Sequence, residues 1–191
     1  LVMEFCDGGD LWEKIAAARR KKEVLEPSDV AGWTIQLVAA LRYLHARAIL
    51  HRDIKPENVF LTNEGDREGA VAKLGDFGLA TATEDLDSSS AKTQVGTPDY
   101  MAPEVLEGRV YSAPADIFSL GATVYAMVCA SFPKMLAMHL GQGNALDWPP
   151  TSEPMSDWRS LVEGMLKVAD EGRPSIDQVG LHVASLPASS Q

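Results

Sequence analysis

The chain has 191 residues, 46% of them hydrophobic, and a formal net charge of −10. That is enough for one globular domain with a sizeable core, or for two small ones. The acidic balance argues against a general nucleic-acid or anionic-membrane binder, which is usually basic.

In chain order, Leu1-Val2-Met3-Glu4-Phe5 reads as the end of a buried strand, broken by Asp7-Gly8-Gly9-Asp10. A short helix follows over 11–20. Its closing run Arg19-Arg20-Lys21-Lys22 reads as a solvated helix end favoured by the dipole. Pro27-Ser28-Asp29 opens a second helix with Ser28 as N-cap. Val30, Trp33, Leu37, Val38, Leu41 and Leu44 keep helical spacing there, so one face is buried. Ile49-Leu50 leads into a charged loop. Val59-Phe60-Leu61 and Val71-Ala72-Lys73-Leu74 then read as two strands of a hairpin with an extended polar turn.

The polar stretch 81–96, with Ser88-Ser89-Ser90, reads as a long loop. From Asp116 onward the pattern stays helical. The apolar run 117–130 is shorter than the roughly 18 residues of a membrane span, so it reads as a buried helix. Ser156 is expected to cap a helix whose core face is Trp158, Leu161, Val162, Met165 and Leu166. Ser175 is expected to cap another, using Ile176, Val179, Val183 and Leu186. Residues 187–191 form a tail expected to fray. The fold class is α+β and mostly helical, with a few short strands near the front. Cys6 and Cys129 stand far apart without metal-ligand spacing, which points to a reducing compartment and not to a disulfide framework or zinc site. There is no basic n-region of a signal peptide.

The charged loop, His51-Arg52-Asp53-Ile54-Lys55-Pro56-Glu57-Asn58, packs five ionisable side chains into eight positions. Phosphoryl transfer from ATP needs a carboxylate near the attacking hydroxyl and oxygen ligands for Mg²⁺. Asp53 and Asn58 supply these groups, and Lys55 can reach a γ-phosphate. Gly75-Asp76-Phe77-Gly78 offers a second carboxylate in a glycine-flanked turn, joined to the first loop through the strand hairpin.

HRDIKPENVFL resembles the catalytic loop of the eukaryotic protein kinases, LGDFGLA their magnesium loop, and VGTPDYMAPE the end of their activation segment. Leu1 to Gly9 resembles the hinge, Asp116-Ile117-Phe118-Ser119-Leu120-Gly121 the start of the central helix, and Gly172-Arg173-Pro174-Ser175 a late motif whose arginine pairs with the glutamate of APE, here Glu104. The resemblance covers nearly the whole chain. It implies the hinge and large lobe of a kinase domain over residues 1–186, with the small β-rich lobe largely absent. Within the family, the DIKPEN and GTPDY forms resemble the Ser/Thr kinases, and LVMEFCDGGDLWEKI together with LGDFG the NIMA-related group.

The resemblance implies roles for individual residues. Asp53 is the base or hydroxyl-orienting group, Lys55 contacts the γ-phosphate, and Thr97 bonds both. Asn58 and Asp76 are the Mg²⁺ ligands. Met3 is the gatekeeper, Glu4 and Cys6 offer backbone groups to the adenine of ATP, Phe60 lies beneath the ring, and Asp10 reaches the ribose. Arg52 meets an activation-loop phosphate on Thr93, although Thr81 stands where a second basic residue is common. His51, Phe77, Glu104, Asp116 and Arg173 are structural, with His51 under Phe77 and Asp116 anchoring the catalytic-loop backbone. The implied function is transfer of the ATP γ-phosphate to protein Ser/Thr hydroxyls in an intracellular setting, cytoplasmic or nuclear. The alternative is a catalytically silent scaffold lobe.

The sequence also departs from the pattern. No Gly-rich loop, strand lysine or helix glutamate precedes Leu1, so an upstream lobe is the expected partner and these residues alone are expected to have little activity. Phe118 replaces a common tryptophan, Ser131-Phe132-Pro133 replaces a PPF-like stretch, and Asp170-Glu171-Gly172 stands where Asp-Pro is common. The oligomeric state is left open.

Overall fold

The computed structural model describes residues 2–63, 70–83, 96–148 and 156–186. Its helices are α1 (Leu11–Lys21), α2 (Pro27–His45), α3 (Pro103–Leu106), α4 (Ala113–Cys129), α5 (Leu136–Gly141), α6 (Ser156–Met165) and α7 (Ile176–Ser185). Among the described residues there are two small antiparallel sheets. β2 (Val59–Thr62) pairs with β3 (Val71–Leu74), and β1 (Ile49–Leu50) pairs with β4 (Thr81–Ala82). The mostly helical α+β class expected from the sequence is the one observed.

α4 is the centre. Every residue from Ala115 to Val128 is buried, as expected of a helix that is apolar all round. α2 and α6 pack on it, and α7 packs on α2. Both terminal turns of α4 are closed by its own chain: Ser112 leads in through Pro114, and Ala130 takes a left-handed conformation that bonds back to Met127 and Ala126. α6 buries Trp158, Leu161, Val162 and Met165 as its spacing predicts, with Leu166 just beyond. α7 begins with a capping box between Ser175 and Gln178.

Several local expectations are corrected. α2 starts at Pro27, so Ser28 is inside the helix and Glu26 occupies the cap position with no side-chain bond. Proline suits the first helical position because its missing N–H has no partner there anyway. Residues 2–5 are not a strand: Val2 and Phe5 are 99% and 85% exposed. A strand needs a ladder partner, and no described strand runs beside them. The backbone zips onto β2 only from Gly8, whose N–H donates to Leu61 O at 2.8 Å while Leu61 N–H donates to Gly9 O at 2.8 Å. The loop expected over 81–96 begins instead as β4, because Leu50 and Ile49 pair with Thr81 and Ala82. Ser156 lies within α6 and not before it.

Candidate active site

The charged loop runs from β1 through a 3-10 turn, Pro56–Asn58, into β2. Its backbone is fixed from below by Asp116, in the first turn of α4 and fully buried. One carboxylate oxygen accepts from His51 N–H (3.0 Å) and His45 Nε2–H (2.9 Å). The other accepts from Arg52 N–H (3.0 Å) and the Tyr111 hydroxyl (2.9 Å). These bonds hold Arg52 at φ 72°, a left-handed conformation that costs a non-glycine residue about 1–2 kcal/mol. Burial first, then the Asp116 charge, pushes the Tyr111 phenol well above its ordinary range.

The turn presents Asp53 on the other side. Its Oδ2 accepts from Lys55 Nζ (2.7 Å) and Asn58 Nδ2 (2.9 Å), while Oδ1 accepts from Thr97 N–H (3.0 Å) and Thr97 Oγ1–H (3.1 Å). Lys55 Nζ also donates to Thr97 Oγ1 at 2.7 Å. Asn58 spends its amide N–H groups on the Asp53 carboxylate and the Asp53 carbonyl (2.8 Å). Gly96 must be glycine for this closure: at φ 111°, a Cβ would fall 2.7 Å from Arg52 O.

The β2–β3 hairpin joins this loop to the second one. Val59 pairs with Leu74, and Gly75 N–H donates to Asn58 O at 2.9 Å, so Asn58 and Asp76 leave the same end of one ladder. Asp76 is left-handed (φ 56°), and its Oδ1 accepts from Gly78 N–H at 3.3 Å. Gly75 lies against Phe60: a Cβ there would fall 2.7 Å from the ring. The Nε2 of His51 lies 3.1 Å from Gly75 O, and its ring meets Phe77 edge-on at 5.1 Å.

The donor set suits a hard cation. Among the described residues, no group of three or more His, Cys, Asp or Glu is placed to hold a metal. Mg²⁺ does not need one, since it takes one or two protein oxygens together with phosphates and water. Asn58 turns its amide N–H toward Asp53, which leaves its carbonyl oxygen for such an ion, and Asp76 keeps a second carboxylate oxygen.

The residues assigned to the nucleotide stand at the front. Met3 is exposed, and Glu4 pairs with Lys73. Cys6 is half-buried and a free thiol. Phe60 is half-buried on β2 and bridges to Asp10. Asp10 caps α1, its Oδ1 accepting from Glu13 N–H at 2.8 Å, a role the sequence reading missed although Asp before an apolar helical run is its usual sign.

Thr93 and the Ser88-Ser89-Ser90 run lie outside the described residues. Arg52 is buried with its guanidinium 5.5 Å from the Tyr111 ring. Glu104 and Arg173, 69 positions apart, form a fully buried bidentate pair at 2.6 and 2.8 Å. Glu57 has a buried carboxylate oxygen without a hydrogen-bond partner among the described residues. After burial itself, its charge helps hold the Tyr100 phenol above its ordinary range. His45, Tyr111, Gln36 and Trp33 were not singled out as site residues by the sequence, because each contributes through a bond visible only in three dimensions.

Residues 1–183 match the protein kinase domain, and the chain belongs to the protein kinase family. In keeping with the NIMA-related resemblance, it is similar to serine/threonine-protein kinase Nek5 of Homo sapiens, 37% identical over 189 residues that cover 94% of this chain and 25% of that protein. It is also similar to serine/threonine-protein kinase Nek1 of Mus musculus (36% over 188 residues, 94% and 14%) and to Nek2 of Mus musculus (38% over 192 residues, 94% and 41%). The chain thus spans less than half the length of these relatives.

Proposed function

We propose that this chain supplies the catalytic and metal-holding half of an ATP-dependent kinase site that phosphorylates serine or threonine hydroxyls of proteins. The observation that carries the reading is the Asp53 carboxylate, clamped by Lys55, Asn58 and Thr97. Two of its donor groups come from its own loop and two from Thr97, in the segment beyond residue 95, so the carboxylate is oriented only when both segments are in place. Asp53 positions a substrate hydroxyl and accepts its proton. Lys55, steadied between Asp53 and Thr97, offers its ammonium to the transferring phosphoryl group. Asn58 and Asp76 would hold Mg²⁺, which when bound would supply positive charge to offset that of the phosphates. The Nek relatives, named as serine/threonine kinases, support Ser/Thr over Tyr as the acceptor.

The test is phosphotransfer from ATP to a Ser/Thr protein substrate by the protein containing this chain. Asp53→Asn keeps the shape and removes the base, and is expected to lower kcat by about 10²–10⁴-fold. A variant that turns over at the wild-type rate would remove Asp53 from the chemistry.

A further inference from the structure

The middle of α2 lies against β3, on the edge that faces away from β2. Two of its side chains treat that edge as a neighbouring strand would. The Trp33 indole N–H donates to Ala70 O at 2.9 Å, and Gln36 Oε1 accepts from Ala72 N–H at 2.6 Å. In the ladder, Gly75 bonds to Asn58, so the Leu61–Ala72 rung is a non-hydrogen-bonded one and Ala72 N–H points outward. A carbonyl at one residue and an N–H two further on are the two groups that a single residue of a parallel strand would engage. Trp33 and Gln36, three positions apart on one helix face, fill both.

A two-stranded ribbon is marginal by itself. Here β3 is held on both edges, and after four residues it runs into Gly75 and Asp76. Trp33 is buried and Gln36 half-buried, and both reach β3 from α2. We infer that Gln36 and Trp33 are positioning residues: they fix β3 along its own axis and thereby set where Asp76 stands relative to Asn58. The metal part of this inference rests on the proposed function, but the geometric part does not.

Two variants separate position from shape. Gln36→Met keeps the chain length and removes the strong acceptor, whereas Gln36→Glu keeps an acceptor oxygen. Amide hydrogen exchange, read residue by residue, is expected to quicken in Gln36→Met at Ala72 and also at Gly75, by roughly fivefold, the factor for one lost hydrogen bond. Gln36→Glu is expected to return Gly75 to the wild-type rate. Acceleration at Ala72 alone, or at Gly75 equally in both variants, overturns the inference. If Gln36→Met does not fold, Trp33→Phe removes the indole N–H and its bond to Ala70 O together with one ring of the bicycle, and quicker exchange at Gly75 is required of it.

The second readout is Mn²⁺ bound in the presence of ATP, counted by electron paramagnetic resonance. Gln36→Met is expected to weaken it several-fold and Gln36→Glu to restore it. With Asp76→Asn as the control, a loss of Mn²⁺ in Asp76→Asn but none in Gln36→Met overturns the positioning of the metal site. No loss in Asp76→Asn removes the metal assignment of Asp76 itself, and exchange at Gly75 still decides the geometry.

Discussion

His51 is fully buried, and its bonds select one protonation state. Nδ1 accepts from Asp53 N–H at 3.4 Å, so the ring proton is on Nε2, donated to Gly75 O. A second proton would face a backbone N–H. Burial is the main cause that holds the imidazole below its ordinary 6.5, against the opposing pull of Asp116, the Gly75 carbonyl, Asp53 and Asp76. In the unfolded chain the ring takes up a proton near 6.5, so this contribution to stability is complete above that pH and is lost as pH falls below it. Urea unfolding between pH 7 and 5.5 should show wild type losing stability relative to His51→Asn, by at most about 1.4 kcal/mol per pH unit for one proton. Parallel curves would mean that His51 is not the group. The Glu104–Arg173 pair makes a second case. Both side chains are buried, and Arg173→Leu strands the Glu104 carboxylate, with an expected cost of about 3–5 kcal/mol in the same assay. Replacing both by leucine should recover much of it, because the desolvation cost disappears with the second charge. At this scale the motif residues were legible because their spacing is a local pattern. Asp116 and Arg173 were legible only through the resemblance, since a carboxylate bonded to residues 64 and 65 positions earlier leaves no local signature.

Among the elements, two glycines show how the same substitution has different outcomes. Gly121 lies in α4 where it crosses α6, and a Cβ there would fall 2.8 Å from the Met165 Cβ. That neighbour is the root of a side chain and cannot swing away. Helix propensity favours Gly121→Ala by about 1 kcal/mol, but overpacking costs about 1–3 kcal/mol, so a net loss is expected. Gly180 lies in α7 where it meets α2, and a Cβ there would meet the far end of Arg42 at 2.8 Å and Val38 Cγ1 at 3.1 Å. Arg42 can move, at the expense of its exposed bond to Asp177, which is worth little. Thermal unfolding should therefore show Gly121→Ala clearly below wild type and Gly180→Ala within about 0.5 kcal/mol of it. The reverse order would mean that the α4–α6 crossing yields where the α2–α7 contact does not. The helices were legible in the sequence because apolar side chains recur at helical spacing over several turns. Two-residue strands such as β1 and β4 carry no period, and β4 exists only because Leu50 and Ile49 lie beside it. Residues 2–5 carry a strand-like apolar pattern, but pairing decides a strand, and pattern alone could not supply the partner.

Across the whole molecule, apolar surface is distributed unevenly. The core around α4 is sealed, yet Val2, Met3 and Phe5 are exposed at the end where Glu4 reaches Lys73 on β3, and Phe77 is half-exposed beyond β3. A net charge of −10 opposes the close approach of copies of this chain, while the exposed apolar side chains of residues 2–5 invite a covering surface. Because Phe5 is 85% exposed, it gives almost nothing to the stability of this chain. Phe5→Ser should change the unfolding free energy by less than about 0.5 kcal/mol, and should still lower the fluorescence of a bound apolar dye such as anilinonaphthalene sulfonate. The control is Phe118→Ser in the centre of α4, where a fully buried ring is lost and the chain should be destabilised by about 3 kcal/mol or more. If Phe5→Ser instead lowered stability as a core change does, residues 2–5 would be packed against the domain in solution.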